Sequence, residues 1–154
     1  MYHASVSIFD TDKKAVEIIY KKFEDRWCGS KRKKTISKGS GYYRDYMIQH
    51  IYIPTKTITF YINGDVNMIS DLCENIAGIG KFRRIGWGAI RQFTIETNIP
   101  DYSIVKDGVA MRPIPKHLLV DSSEFVGIAY KPPYWARESV GICAPPGAKV
   151  EVKI

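Results

Sequence analysis

Two G-x-G pairs, Gly78 to Gly80 and Gly86 to Gly88, stand close together in the stretch "AGIGKFRRIGWGAIRQF" at residues 77–93. Glycine adopts positive φ angles without steric cost and lets a backbone approach a ligand closely. A cluster of glycines is typical of a loop rather than of the interior of a helix or strand. Residues 77–88 are therefore predicted to form an exposed loop.

A predicted helix and a predicted strand flank this glycine-rich loop. Before it, "NGDVNMISDLCENIAGIG" begins with a turn and an N-capping Asp65, followed by apolar Val66, Ile69, Leu72 and Ile76 at helical spacing. This pattern predicts a short helix that is ended by glycine. After the loop, "WGAIRQFTIET" predicts a strand.

The loop is also basic, with Lys81, Arg83 and Arg84 between the two pairs and Arg91 after them. It fails the P-loop pattern because Phe82 follows Gly-Lys, and it fails the dinucleotide fingerprint because that loop follows a strand and opens a helix. Arg and Lys beside glycine supply charge-assisted hydrogen bonds to phosphate, so the loop is predicted to grip a sugar–phosphate backbone. An ordinary solvated run of charges is the alternative.

The predicted nucleic-acid-binding residues fall in two stretches. Those of the glycine-rich loop are Gly78, Gly80, Lys81, Phe82, Arg83, Arg84, Gly86, Gly88 and Arg91. The rings of Phe82 and Trp87 suit base stacking, and Trp87 also suits a core position. A basic loop at residues 30–44, broken by glycine and serine, is predicted to extend the positive surface as a flexible clamp. Its predicted contributors are Lys31, Arg32, Lys33, Lys34 and Lys38.

The remaining N-terminal elements give a predicted α+β fold. Residues 2–9 alternate apolar and polar side chains and predict a strand. A helix is predicted for "DTDKKAVEIIYKKFEDRW", and "YMIQHIYI" and "KTITFYI" predict two strands. The apolar residues at helical spacing in that helix are Val16, Ile19, Tyr20, Phe23 and Trp27. The resulting βαββαβ order is typical of a ferredoxin-like antiparallel sheet with helices on one face.

Residues 1–96 are predicted to form this ferredoxin-like domain, and residues 97–154 a proline-rich C-terminal extension packed on it. The extension holds seven of the eight prolines, in stretches such as "MRPIPKHLL", "YKPPYW" and "CAPPGAKV". It is predicted to be irregular. Only its end, where Val150 and Val152 alternate with charged residues, predicts a short strand.

The composition favours a globular chain with a polyanionic partner. The 154 residues carry a formal charge of +7, which suits a polyanionic partner and is explained equally well by solubility alone. Cys28, Cys73 and Cys143 are far apart and odd in number, which argues against a zinc site or a disulfide framework and favours a cytoplasmic chain. No apolar run is long enough for a transmembrane helix, so no membrane partner is predicted. Paired carboxylates with metal-ligand spacing are also absent from the sequence, and neither a metal nor a cofactor is predicted.

The stretch "GIGKFRRIGWG" resembles the glycine-rich loop of the RAMP superfamily of CRISPR-associated proteins. Four further stretches, "YHASVSIF", "FYINGDVNMISDLCENIAGIGKFRRIGWGAIRQFTIE", "MRPIP" and "YKPPYW", resemble the subunit of type IV CRISPR effector complexes that caps the 5′ handle of the guide RNA. The resemblance covers nearly the whole chain in order. It implies a non-catalytic RNA-binding subunit, with guide RNA and other effector subunits as partners.

The resemblance also leaves alternatives open. The family has an additional strand and helix before the "YHAS" position, and in the predicted βαββαβ order residues 2–27 take over their roles. The alternatives are an incomplete sheet that a partner chain completes, the product of a split gene, or a stand-alone or virus-encoded decoy of an effector subunit. Some RAMP relatives cut RNA with a histidine assisted by tyrosine or lysine, which makes a small endoribonuclease a third interpretation. His3, His50 and His117 are the histidines, and none lies beside a second acid–base group in a recognisable motif. No catalytic residue is predicted.

Overall fold

The structure, a computed structural model, describes residues 3–24 and 37–153. The chain divides into two compact units, one made of Met1–Ile8 with Thr59–Ile154 and the other of Phe9–Ile58. The described residues form an α+β fold of small antiparallel sheets and one α-helix. Two short strands, β1 (Ile8–Phe9) and β4 (Ile58–Thr59), pair with each other.

The unit Phe9–Ile58 contains a two-stranded antiparallel sheet of β2 (Ala15–Lys21) and β3 (Tyr46–Tyr52). The prediction of a helix over this part of the chain is wrong, whereas the strand at β3 is confirmed. Val16, Ile18 and Ile19 are β-branched, which costs a helix side-chain freedom and suits a pleated strand. Trp27, the last apolar residue of the predicted helix, lies outside the described residues.

Asp10 organises the other end of this unit. Its Oδ1 accepts a hydrogen bond from the Thr55 hydroxyl at 2.6 Å, and its Oδ2 accepts from the Lys56 and Thr57 N–H groups at 3.2 Å each. These bonds, the one from Thr55 foremost, lower the pKa of the Asp10 carboxyl. A local carboxylate thus holds the turn that precedes β4.

The helix α1 (Val66–Glu74) confirms the prediction of a capped helix before the glycine-rich loop. The Asp65 Oδ1 accepts a hydrogen bond from the Met68 N–H at 2.9 Å, as an N-cap does. The helix α1 ends at Asn75 rather than at a glycine, so that part of the prediction is wrong. Asn75 caps it with φ −87°, and the Asn75 Nδ2 donates to the Asp71 carbonyl at 2.8 Å.

The C-terminal part is not irregular, because seven short strands form there. They are β5 (Val105–Lys106), β6 (Val109–Ala110), β7 (Ile114–Pro115), β8 (Leu119–Ser122), β9 (Val126–Ala129), β10 (Val140–Ala144) and β11 (Val150–Val152). The sheets are β7-β10-β9, β11-β8 and β5-β6. The strand predicted at Val150 and Val152 is confirmed as β11.

The buried core also lies in this C-terminal part. It consists of Ala110, Ile114, Leu119, Ala144 and Ala148. The expected strand at "WGAIRQFTIET" is not formed, since only Ala89 makes a bridge there. Because the first predicted helix is a strand and the last predicted strand is absent, the described residues do not reproduce the βαββαβ order. Among them, no helix has the length and apolarity to cross a membrane.

Candidate nucleic-acid interface

The two G-x-G pairs meet each other across the neck of the glycine-rich loop. The Ile79 N–H donates to the Gly88 carbonyl at 2.9 Å, and the Ile90 N–H donates to the Ala77 carbonyl at 3.1 Å. Gly78 and Ala89 form an antiparallel bridge between these two hydrogen bonds. The loop is thus closed at its base by backbone pairing.

Close backbone contact explains two of the four glycines. A Cβ on Gly88, whose φ is +67°, would lie 1.9 Å from the Ile79 carbonyl oxygen. A Cβ on Gly78 would lie 3.0 Å from the Gly88 carbonyl oxygen, and Gly78 is buried. Gly80 and Gly86 also have positive φ, but open space surrounds them. The loop is therefore exposed as predicted except at Gly78, where the neck closes.

The tip of the loop contains a short 3-10 turn at Arg83–Ile85. The Gly86 N–H donates to the Arg83 carbonyl at 3.0 Å. The rings of Phe82 and Trp87 pack edge to face with centroids 5.8 Å apart, and both side chains are half-buried. Trp87 thus packs against Phe82 within the loop, and it does not belong to the buried core of the described residues.

All four cations of the loop stretch are exposed: Lys81, Arg83, Arg84 and Arg91. In residues 3–24 and 37–153 none of them makes an ion pair, since the pair found there is His3 with Asp101. The Arg83 Nη1 lies 3.5 Å from the Gly78 carbonyl oxygen. The Lys81 Nζ lies 5.7 Å from the Phe82 ring centroid. Exposed cations without carboxylate partners leave their N–H donors open to phosphate.

The residues of the predicted basic clamp are placed differently. Lys38 is exposed in the unit Phe9–Ile58, and its carbonyl accepts from the Asp45 N–H at 3.0 Å. Four predicted contributors lie outside the described residues, namely Lys31, Arg32, Lys33 and Lys34. The structure therefore brings the cations of the glycine-rich loop together and leaves the clamp a prediction.

Arg112 of "MRPIP" joins three of the stretches that carry the family resemblance. It is 3% exposed, and its Nη2 donates to the Tyr130 carbonyl of "YKPPYW" at 2.9 Å. Its Nη1 lies 3.4 Å from the Ala4 carbonyl of "YHAS". Burial lowers the pKa of this guanidinium, and Tyr134 opposes that shift. No motif or residue spacing in the sequence predicts this role for Arg112.

A polar cluster that the sequence analysis missed surrounds Asp101. Its carboxylate accepts from the Asn63 Nδ2 at 2.7 Å and from the Ser103 N–H at 2.9 Å, and lies 4.0 Å from the His3 Nδ1. The bonds from Ser103, followed by that from Asn63, lower the pKa of the Asp101 carboxyl. The bridge between Ala4 and Ile62 aligns His3 with Asn63, which the sequence places far apart.

The sequence analysis also missed the contact of Lys106 with two tyrosine rings. The Lys106 Nζ donates to the Tyr61 hydroxyl at 2.9 Å and lies 4.9 Å from the Tyr61 ring centroid and 5.1 Å from that of Tyr102. The hydrogen bond from Tyr61 raises the pKa of Lys106. The many tyrosines of the sequence gave no signal for this contact, because Tyr61 is 45 residues from Lys106 along the chain.

The other two histidines lie in other elements of secondary structure. His50 lies in β3, and His117 is exposed in the 3-10 turn Lys116–Leu118. The part of the chain that the structure describes has no group of three or more His, Cys, Asp or Glu that could hold a metal ion.

Comparison with known proteins gives one family match. The model of the family described as CRISPR type IV associated protein Csf3 matches residues 4–146, which include the glycine-rich loop, Arg112 and "YKPPYW". No curated protein matches the chain.

Proposed function

We propose that this chain, which belongs to the family of CRISPR type IV associated protein Csf3, is a non-catalytic, RNA-binding subunit of a type IV effector complex. The proposed ligand is the backbone of the guide RNA, and the glycine-rich loop is the proposed grip. We also propose that the chain belongs to the RAMP superfamily and acts in the cytoplasm.

The single observation that supports RNA binding is the set of exposed cations, without carboxylate partners among the described residues, on a loop with a closed base. Lys81, Arg83 and Arg84 project from a segment fixed by the Ile79–Gly88 hydrogen bond and by the Phe82–Trp87 contact. A fixed loop loses less conformational freedom on binding than a mobile one. Phosphate contacts of this kind give affinity and position but little choice of RNA sequence.

Exposed apolar surface on this chain supports the proposal that it contacts other subunits. The helix α1 has no buried residue, and Met68 and Leu72 on it are 67% and 64% exposed. A two-stranded sheet such as β2–β3 is marginal by itself, and its Ile18 is 51% exposed. We propose that other effector subunits cover such surface.

The absence of catalysis is part of the proposal. His3 and Asp101 are the described pair that most resembles a base and its orienting carboxylate, and this pair favours the endoribonuclease alternative. Their 4.0 Å separation is longer than a hydrogen bond. The Asp101 carboxylate is instead engaged by Asn63 and Ser103, so we assign it a structural role.

The experiment that tests the proposed function is purification of the protein from its host, followed by sequencing of bound RNA and identification of bound proteins. The proposal expects guide RNA and other type IV subunits in the same complex. Recovery of effector subunits without RNA would favour the decoy. Guide RNA cut by the isolated chain would favour the endoribonuclease.

A further inference from the structure

The segment "KPPYW" and the residues after it form a loop with a firmly held base. The Tyr130 N–H donates to the Ser139 carbonyl at 3.0 Å, and the Ala136 N–H donates to the Pro133 carbonyl at 3.0 Å. Ser139 is fully buried. The loop leaves the end of β9 and returns into β10, which pair in register from Val140 with Ala129 onward.

Two further contacts, both with Tyr130, hold the base of this loop in place. Arg112 donates to the Tyr130 carbonyl at 2.9 Å, as described above. A Cβ on Gly141 would lie 3.2 Å from the Tyr130 ring, so the glycine leaves room for that ring against β10. The position of the loop is therefore set by buried neighbours rather than by its own exposed residues.

The tip of the loop carries the most exposed large apolar side chain of the described residues. Trp135 is 89% exposed and Tyr134 is 58% exposed. Lys131 and Arg137 flank them, are exposed, and make no ion pair within the described residues. The Lys131 Nζ also lies 5.6 Å from the Tyr130 ring centroid. Exposed aromatic rings flanked by cations are the components with which proteins bind single-stranded nucleic acid.

We propose that residues 131–137 form a base-stacking site for single-stranded RNA, separate from the glycine-rich loop. The Trp135 indole takes an unpaired base on its face, and Lys131 and Arg137 contact the neighbouring phosphates. Tryptophan, tyrosine and arginine are enriched at protein interfaces as well, so the choice of RNA rests on the two exposed cations that flank the rings and suit phosphate, and a protein occupant is an outcome of the test below. This inference rests on the proposed function of RNA binding, but it does not require the glycine-rich loop to be the RNA-binding surface.

Stacking and charge neutralisation leave different signatures, which makes the site testable. Loss of an aromatic ring lowers affinity without releasing fewer counterions, so the slope of log affinity against log salt stays constant. Trp135→Ala in the full chain is expected to weaken binding of a short single-stranded oligoadenylate by roughly 5- to 100-fold at an unchanged slope. Trp135→Phe is expected to keep much of the affinity.

Tyr20→Ala, which removes an aromatic side chain 75% exposed on β2, is the matched control and is expected to bind as the parent does. Oligoadenylate is also expected to quench the tryptophan fluorescence of the parent, and Trp135→Phe to remove most of that quenching.

The outcomes separate the two proposals. If the parent binds the oligonucleotide and Trp135→Ala binds it equally well, this site is wrong and the glycine-rich loop remains. If the parent binds no RNA, both proposals fail. If Trp135→Ala keeps its RNA affinity but no longer assembles with the effector subunits, the loop contacts protein and the inference is overturned.

Discussion

The guanidinium of Arg112 donates a hydrogen bond of 2.9 Å to the carbonyl oxygen of Tyr130, which ties "MRPIP" to the base of the "YKPPYW" loop. Arg112 is almost fully buried, and its Nε has no hydrogen-bond partner among the described residues. A buried cation persists only where its other bonds fix it in place. The two stretches of the resemblance are therefore one structural unit.

Arg112→Met is expected to lower the free energy of unfolding by about 2 to 4 kcal/mol, because the Tyr130 and Ala4 carbonyls lose a charged donor. Denaturant unfolding followed by circular dichroism measures this change. Arg44→Met removes an exposed guanidinium and is expected to change the same quantity by under about 0.5 kcal/mol. Equal effects of the two substitutions would show that Arg112 is not a structural tie.

Gly88→Ala is expected to disrupt the neck of the glycine-rich loop, because its Cβ would overlap the Ile79 carbonyl oxygen in addition to straining a positive φ. We expect a loss of about 2 kcal/mol or more of unfolding free energy and faster hydrogen exchange at the Ile79 amide. Gly80→Ala, which has a positive φ but open space, is the control and is expected to cost about 1 kcal/mol. An Ile79 amide equally protected in the parent and in Gly88→Ala would contradict the neck.

Asp101 is expected to stabilise the fold at neutral pH but not in acid. Its pKa in the folded chain lies below the ordinary value of 3.8, so its contribution is present above that value and is lost as the pH falls through the folded pKa. Asp101→Asn should therefore be less stable than the parent near neutral pH, and the difference should shrink below pH 3.8. Denaturant midpoints across this pH range measure it.

Asp12→Asn changes an exposed carboxylate and serves as the control for Asp101. It should follow the parent across the same pH range. A gap between Asp101→Asn and the parent that is independent of pH would show that the hydrogen bonds from Asn63 and Ser103 do not favour the charged carboxylate.

Cys143 is expected to resist alkylation in the folded protein. It is fully buried in β10, and burial raises the pKa of its thiol, which keeps the reactive thiolate scarce. Cys73 on α1 is only half-buried and should react faster. Mass spectrometry after a timed reaction with iodoacetamide compares the two, with denaturant as the control that exposes both. Cys143 reacting first in the native protein would be inconsistent with the buried strand β10.

No ribonuclease activity is expected from the isolated chain. Incubation with hairpin and single-stranded RNA, in the presence of a metal chelator and in its absence, should leave both intact. If cleavage occurs, His3→Ala and His117→Ala identify its source. Loss of cleavage in His3→Ala would assign the base to the cluster around Asp101, and loss in His117→Ala would assign it to the 3-10 turn.

Elements specified by neighbouring residues could be predicted from the sequence. The cap at Asp65 and the apolar stripe of α1 lie within a few residues of each other, so the helix was found. The strand β2 was mistaken for a helix because its apolar spacing fits both periods, and its pairing partner β3 lies beyond the basic loop. In the C-terminal part, strands of only two residues such as Val105–Lys106 are too short to show an alternation.

The glycine-rich loop could be located from the sequence, but the reason for its glycines could not. Composition suggested a close approach to a ligand, whereas the structure shows that Gly78 and Gly88 approach the opposite strand of the neck. The contacts of Arg112 with Tyr130 and of His3 with Asp101 join distant segments, and no local spacing encodes them. The exposure of the loop cations agrees with the predicted exposed loop, and their binding to RNA phosphate stays a prediction.

The salt dependence of guide-RNA binding by Arg83→Ala/Arg84→Ala tests the central claim most directly. The double variant should bind about 1 to 3 kcal/mol more weakly, because two charge-assisted phosphate contacts are removed. Its slope of log affinity against log salt should flatten by roughly 0.7 to 1.4, which is one to two contacts on a single strand. Lys13→Ala/Lys14→Ala removes two exposed charges elsewhere and should keep the parent's slope. If the arginine variant binds guide RNA as tightly as the parent, with the same slope, the glycine-rich loop is not the phosphate grip.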